Sequence, residues 1–436
     1  MASSIFYLKS PEFSSTATCH DRLIPTEIMI EILKRLPTET LLKLRCVPAW
    51  SSFINDPWFI FSRHAYLGSH SPFLVIASYR ERACFYKTIR RFMYSMSNCI
   101  YSGIQKNSSQ INLPTPYMHH HVGKVDYCFE RDYEVPRSVK GLVCLKLNSS
   151  VVIYNPTTGE DVSLPRKINE DYYYKYVKYR WTSLCYDPVS NQHKVLHWFK
   201  EALEKIIYHY IFVPGSNAWR KIDHSFSFEI ERHNSGDEIC IDGVLYYTVI
   251  HSFQRTQHLV SFYARDERFS MVQFHPPVED YQGPNLSEFF DRKVALVYTP
   301  IFSGNNPRIH AMTSENVDNI YLMILEGGCG WRLKEVHLPP REDLPRYGRL
   351  RFAGSIQRGE LLVFAWAPDD SNTFLLFYHA RNDVFWKLAK MEFVPQEHDP
   401  FIDPWEDNRI CSYTPDAGVV YINDHEERMY TLDEWR

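Results

Sequence analysis

Apolar residues are crowded into one short stretch near the start of the chain. Six of the nine residues at positions 28–36 are apolar: Ile28, Met29, Ile30, Ile32, Leu33 and Leu36. This pattern predicts a helix that is apolar around more than one face and is covered from more than one side. Pro25 suits its first turn, and Pro37 ends it because proline removes an interior hydrogen bond.

Two more apolar segments follow this predicted helix. Thr38 suits the N-cap of a second helix with an apolar stripe at Leu41, Leu42, Leu44 and Val47, and Pro48 breaks or kinks that helix. A third, short segment is rich in aromatic residues. About 40 residues do not normally bury enough surface to fold alone. The stretch is therefore expected to dock on a protein surface, either the rest of this chain or another molecule.

From about Ser71 onward, the pattern changes to short strands rich in Val, Ile, Tyr and Phe and bounded by turn residues, which predicts an all-β domain. A unit of strand, polar turn and strand recurs, with turns near positions 157, 216, 266, 328, 382 and 424. A period of about 45 to 60 residues is typical of four-stranded propeller blades with loop insertions. Large aromatic residues follow these turns at similar offsets and are expected to pack between neighbouring blades: Trp219, Phe269, Trp331 and Trp386.

The fold class predicted from these patterns is mainly β with a small α module. The chain is divided into a disordered Ser/Thr-rich tail at 1–20, a three-helix module at 21–66 and a β-propeller at 71–436, with about six blades and a margin of one. A sandwich is less favoured because it rarely needs about 350 residues in one domain.

Composition and charge narrow the possible partners and compartments. The chain has 436 residues, 44% of them hydrophobic, and a net charge of −4. We therefore predict neither nucleic acid nor a membrane as partner, since the global charge shows no basic footprint and no apolar run reaches about 18 residues. Ten scattered cysteines without a C-x-x-C pair, and a tail that lacks the features of a secretory signal, indicate the cytoplasm or the nucleus.

No stretch of the chain carries a strong catalytic or metal-binding pattern. The string MHHH at 118–121 lacks a carboxylate or cysteine cluster at ligand spacing, and GGCG at 327–330 is interpreted as a hairpin turn. The run DYYYKYVKYRW at 171–181 is interpreted as a strand with one buried face, with stacking on nucleobases or peptide as the alternative. We predict no catalytic residue, no metal and no cofactor.

The first stretch resembles the F-box. The matching positions run in order over some 36 residues: Ile24, Pro25, Glu27, Ile28, Glu31, Ile32, Leu33, Arg35, Leu36, Pro37, Leu41, Leu44, Arg45, Val47, Trp50, Ile54, Pro57 and Phe59. In that family the module binds a Skp-type adaptor, which connects it to a cullin-based ubiquitin ligase. The resemblance therefore implies adaptor binding through Ile24, Pro25, Ile28, Ile32, Leu33, Leu36, Pro37, Leu41, Leu44, Val47 and Trp50.

The match departs from the family at one place. The family usually has Val-Cys-Lys-x-Trp after the arginine, whereas this chain has Val47, Pro48, Ala49 and Trp50, which is one residue shorter. Removing one residue rotates the rest of a helix by about 100°. Either a break at Pro48 absorbs this change, or adaptor binding through the third segment is weakened.

The β-rich region is similar to the F-box-associated interaction domain of plant F-box proteins, a group that includes the S-locus type. The resemblance rests on the segments 141–145, 154–158, 184–191, 194–196, 215–222 and 242–247, and it covers roughly residues 130–390. In the family this domain is a Kelch-like recognition module and not a catalyst.

The two resemblances together imply a substrate-recognition subunit of an SCF-type ubiquitin ligase, with a protein target that the sequence does not identify. The alternative is a propeller scaffold or small-ligand enzyme whose F-box has decayed at Pro48.

Overall fold

The computed structural model describes residues 26–36, 38–56, 58–60, 62–63, 73–82, 87–96, 110–112, 137–147, 150–155, 160–165, 177–201, 207–222, 230–233, 238–251, 256–277, 281–300, 319–327, 330–339, 349–356, 358–367, 373–392, 416–424, 432 and 435. The chain separates into two compact units, with the division between Arg63 and His64. The tail predicted at 1–20 lies outside the described residues.

The described residues of the first unit contain three helices, α1 (Thr26–Arg35), α2 (Thr38–Arg45) and α3 (Pro48–Ile54), and further helical residues at 58–60 and 62–63. The charges of α1 follow the helix dipole, with Glu27 in the first turn and Lys34 and Arg35 in the last. Glu31 forms ion pairs with Lys34 (2.9 Å) and Arg35 (3.0 Å). The hydrogen bond from Lys34, with the positive charge of both neighbours, lowers the pKa of Glu31.

Pro48 begins α3 instead of bending α2. Helix α2 ends at Arg45, and Val47 has an extended backbone (φ −94°, ψ 119°) as the N-cap of α3. Proline is favoured at the first helical position because its missing N–H would be unpaired there anyway. The break predicted at Pro48 is confirmed. It gives α3 its own starting point, so the helical rotation of a missing residue is not carried forward from α2.

The second unit contains five β-sheets among the described residues. The first four are built mainly from antiparallel hairpins in chain order, each from a separate part of the chain. The first sheet has β4 (Ser138–Val139), β5 (Leu142–Leu147), β6 (Ser150–Tyr154) and β7 (Asp161–Ser163); the second has β8 (Val177–Asp187), β9 (Gln192–Glu201), β10 (Ile207–Phe212) and β11 (Arg220–Ile222); the third has β12 (Ile230–His233), β13 (Ile239–Ile241), β14 (Val244–His251), β15 (Gln257–Tyr263) and β16 (Arg268–Phe274); the fourth has β17 (Tyr281–Phe289), β18 (Lys293–Pro300), β19 (Asn319–Glu326) and β20 (Gly330–His337).

The fifth sheet has eight strands, which come from the N-terminal and the C-terminal parts of the second unit. Its antiparallel centre is β21 (Arg349–Ile356), β22 (Leu361–Ala367), β23 (Thr373–His379) and β24 (Val384–Glu392), and it is extended by β25 (Asp416–Asp424), β1 (Phe73–Arg82), β2 (Lys87–Met96) and β3 (Gln110–Asn112). Strand β25 runs antiparallel to β1 and parallel to β21. The first strand of the sixth predicted unit is β25, which joins the N-terminal hairpin to the fifth sheet; residues 425–431 of that unit lie outside the described residues. Five sheets lie within the margin of the predicted blade number.

Aromatic residues after the hairpin turns pack between neighbouring sheets, as predicted. The indole N–H of Trp219 donates to the carbonyl oxygen of Pro165 (2.8 Å), after the first sheet, and that of Trp331 donates to Gln273 (3.1 Å) in the third. The Phe269 ring lies 4.8 Å from the His209 ring of the second sheet. Trp386 lies on β24, and its side chain is outside the described part of the chain.

Two residues of the C-terminal stretch are buried against the first and second sheets. Leu432 is 0% exposed and Trp435 is 4% exposed. The Trp435 ring stacks on Phe212 with centroids 6.3 Å apart and planes 13° apart, and the Leu432 N–H donates to Oε2 of Glu160 (3.1 Å). Strand β25 belongs to the fifth sheet, whereas Leu432 and Trp435, a few residues further along the chain, pack on the first two sheets.

Candidate functional site

Helix α1 exposes an apolar face, here called the isoleucine face and defined by Ile28 and Ile32. These residues are four apart and lie one above the other. They are 53% and 48% exposed, whereas Ile30 and Leu33, on the other side of α1, are 9% and 3% exposed. Helix α1 thus has a buried and an exposed apolar side. The exposed side is available to a protein partner.

The interior of the first unit is formed by apolar residues from all three helices and the segment after them. The most buried are Leu33, Leu41, Ile54, Phe59 and Ile60. The rings of Phe53 and Phe59 are 5.4 Å apart. Asp56 caps the final helical turn by accepting hydrogen bonds from the backbone N–H groups of Trp58 (2.8 Å) and Phe59 (3.3 Å). This interior holds α1 in place and leaves its isoleucine face free of the core.

Arg63 fixes the C-terminal end of α1. Its Nη1 donates to the carbonyl oxygens of Lys34 (2.8 Å) and Leu36 (2.9 Å), and the residue is only 4% exposed. The last carbonyl groups of a helix have no partner within the helix and carry partial negative charge, so a guanidinium group suits them. Sequence reasoning missed this role because no short-range pattern connects residues 27 and 29 positions apart.

The eleven predicted adaptor-binding residues fall into four groups. Three are exposed: Ile28, Ile32 and Val47. Three are half-buried: Leu36, Leu44 and Trp50. Two are buried in the interior: Leu33 and Leu41. Ile24, Pro25 and Pro37 lie outside the described residues. The role of all eleven in adaptor binding stays a prediction.

Trp58 is a further exposed aromatic residue that the sequence reasoning did not assign to a partner. It is 45% exposed, and the Lys34 ammonium lies 6.0 Å from its ring centroid. Aromatic residues are enriched at protein interfaces. The sequence shows that the third segment is rich in aromatic residues, but it does not show which of them are exposed.

The second unit has a small central cavity of about 70 Å³, lined by residues on or next to the innermost strands of all five sheets. Arg137 lies at its wall and donates through Nη2 to the carbonyl oxygen of Leu286 (2.7 Å), which ties the first sheet to the fourth. Glu238 at the wall accepts a hydrogen bond from the Trp181 indole (3.3 Å). This volume suits a few water molecules and is far smaller than the roughly 300 Å³ or more of ordinary small-molecule sites.

The cysteines near this cavity are poor nucleophiles. Burial raises the pKa of Cys240 to about 11 and raises that of Cys185 well above its usual range. The reactive form of cysteine is the thiolate, so both thiols are protonated and inert at neutral pH.

The structure describes only some of the segments that the sequence analysis considered as possible ligand or metal sites. The segment 327–330 connects the antiparallel strands β19 and β20, so its interpretation as a hairpin is confirmed. Residues 177–181 begin strand β8, where Trp181 is buried; residues 171–176 and the histidines at 119–121 lie outside the described residues. Within the described ranges, no group of three or more His, Cys, Asp or Glu residues is arranged to hold a metal ion, and no helix has the length and apolarity to cross a membrane.

Comparisons with known proteins match both units. The F-box domain family matches residues 23–62, and the family described as F-box associated beta propeller domain matches residues 91–403. An F-box protein of Arabidopsis thaliana is 25% identical over 390 residues, which cover 86% of this chain and 86% of the relative. A second is 27% identical over 387 residues, covering 83% of this chain and 89% of the relative. A third is 30% identical over 261 residues, covering 57% and 56%.

Proposed function

The chain belongs to the F-box proteins with an F-box-associated β-propeller domain, and on this premise we propose that it is the substrate-recognition subunit of an SCF-type, cullin-based ubiquitin ligase. The F-box binds a Skp-type adaptor, and the propeller binds a target protein. The subunit itself is non-catalytic and acts in the cytoplasm or the nucleus.

The isoleucine face carries the adaptor part of the proposal. Two β-branched apolar residues are about half exposed on the side of α1 that faces away from the described interior of the first unit. Burying the exposed halves of two isoleucines contributes roughly 1.5–3 kcal/mol to binding. The start of α3 at Pro48 also supports the proposal, because it provides a separate helix at the position where this chain is one residue shorter than the family pattern.

The test is copurification of the intact chain with a Skp-type adaptor of Arabidopsis thaliana. Ile28→Asp with Ile32→Asp is expected to weaken the complex by about 10- to 100-fold, because it replaces exposed apolar contacts with charges. Ser52→Asp on α3 is the control, since Ser52 is exposed and also gains a charge.

Substitution of Leu33 is a poor test of this interface. Leu33 is 3% exposed, so Leu33→Asp would bury a charge in the core and unfold the module whether or not it binds an adaptor. An intact chain that does not copurify with the adaptor would contradict the proposal, as would equal losses for the isoleucine pair and the control.

A further inference from the structure

We propose that the hairpin formed by β1 and β2 binds an extended acidic peptide segment of the target protein. This inference rests on the proposed function and adds a binding surface and a partner chemistry to it. Most of the hairpin, residues 73–90, lies between the two matched family regions, since the F-box match ends at residue 62 and the propeller match begins at residue 91, within β2. Strand β1 and the first part of β2 are therefore outside both family matches.

The hairpin is basic in a chain of net negative charge. Residues 73–96 contain five basic residues and one acidic residue, while the whole chain has a net charge of −4. The basic residues lie at positions 80–91, near the end of β1 and the start of β2. A local basic surface of this kind attracts acidic segments and raises their rate of association.

The strand register places four of the five basic positions on one face of the hairpin. Arg82 lies opposite Lys87, Arg80 opposite Ile89, and Ser78 opposite Arg91. Directly opposed residues share a face in an antiparallel pair, and alternate residues along a strand return to that face. Arg80, Arg82, Lys87 and Arg91 therefore share one face, whereas Arg90, opposite Tyr79, belongs to the other.

The edge of the hairpin offers backbone groups beside this basic face. Strand β2 pairs with β1 over ten residues and is the terminal strand of the eight-stranded sheet, as far as the structure describes it. A terminal strand presents a row of N–H and C=O groups that can pair with an added peptide strand. Backbone pairing would give affinity, and carboxylates on alternate peptide residues would meet the basic face.

A protein partner fits these observations better than a nucleic acid. Four positions on a two-stranded ribbon fall short of the 6 to 10 phosphate contacts that typically sustain strong, salt-dependent nucleic-acid binding. A flat sheet edge recognises an extended backbone, and a peptide is the polymer whose N–H and C=O groups match it. Arginine also forms paired hydrogen bonds with carboxylates.

The test uses fluorescence anisotropy with the full chain bound to its adaptor and a labelled peptide of about twelve alternating Glu and Thr residues. Arg91→Glu is expected to weaken binding at least about tenfold, and the adjacent Arg90→Glu, with the same charge change on the opposite face, less than about threefold. A peptide N-methylated at alternate amides is expected to bind about tenfold more weakly because it cannot complete the strand pairing. Arg91→Gln and Arg90→Gln repeat the comparison without adding an acid.

Several results would overturn the inference. Equal losses for Arg90 and Arg91 variants would show a general charge effect, and unchanged binding of the N-methylated peptide would exclude strand addition. Binding of a Lys-Thr peptide as tight as that of the Glu-Thr peptide, or tighter binding of a single-stranded oligonucleotide, would assign the surface to another partner. Adaptor binding is measured on the same preparations, so failure of the peptide site is distinguishable from failure of the proposed ligase role.

Discussion

Replacing Trp435 with alanine is expected to weaken the connection between the C-terminal stretch and the first two sheets. Trp435 is 4% exposed and stacks on Phe212. Truncation of a buried Trp typically costs about 3–5 kcal/mol, because it removes apolar burial and leaves a cavity. An unfolding entropy of about 2.1 cal/mol/K per residue gives about 0.8 kcal/mol per kelvin for the second unit. The Tm should therefore fall by about 4–6 °C.

Differential scanning calorimetry of the full chain measures this change. Leu333→Ala is the control, because Leu333 is 55% exposed and its truncation should change stability by no more than about 0.5 kcal/mol. Phe212→Ala and the double variant test the contact itself, since stacked rings couple by about 0.5–1.5 kcal/mol beyond the area they bury. If Trp435→Ala lowers the Tm no more than Leu333→Ala does, the C-terminal stretch does not stabilise the propeller.

Two further predictions follow from the described residues. Iodoacetamide at pH 8 should label exposed Cys46 well before half-buried Cys240, whose pKa of about 11 keeps it protonated until the pH approaches that value. Mass spectrometry measures the order of labelling, and equal labelling would contradict the raised pKa of Cys240. Gly359→Ala should lower the free energy of unfolding by about 1–3 kcal/mol more than Gly215→Ala does. The two glycines have similar positive φ (+77° and +78°), so the backbone strain of the two variants is matched. An added Cβ at Gly359 would lie 2.5 Å from a main-chain oxygen, whereas at Gly215 it meets nothing within 4 Å. Thermal melts of the two variants measure the difference, and equal Tm values would refute the close approach.

Local sequence patterns predicted the helical module and the repeating hairpins well. Pro25 and Pro37 gave the limits of α1 because proline acts on its own turn, and the turns near 216 and 266 were recognisable from polar residues between apolar strands. The sequence could not show that Leu33 is buried while its neighbour Ile32 is exposed. Both are apolar, and only the packing of α2 and α3 decides which side of α1 is covered.

Local sequence patterns could not predict which strands and side chains from distant parts of the chain are paired. The first strand of the predicted sixth unit, β25, has partners more than 300 positions away in β1 and near residue 354 in β21. Arg63 and Trp435 illustrate the same limit, because each has a role that depends on a partner brought near by the fold. The basic face of the hairpin also required the register between β1 and β2, since the sequence alone does not show which basic positions are opposed.

The most direct test of the ligase role is the affinity of the intact chain for a purified Skp-type adaptor, measured by isothermal titration calorimetry. The account predicts a stable complex of one adaptor per chain that becomes about 10- to 100-fold weaker with Ile28→Asp and Ile32→Asp and is unchanged by Ser52→Asp. No detectable binding by the intact, folded chain would contradict it.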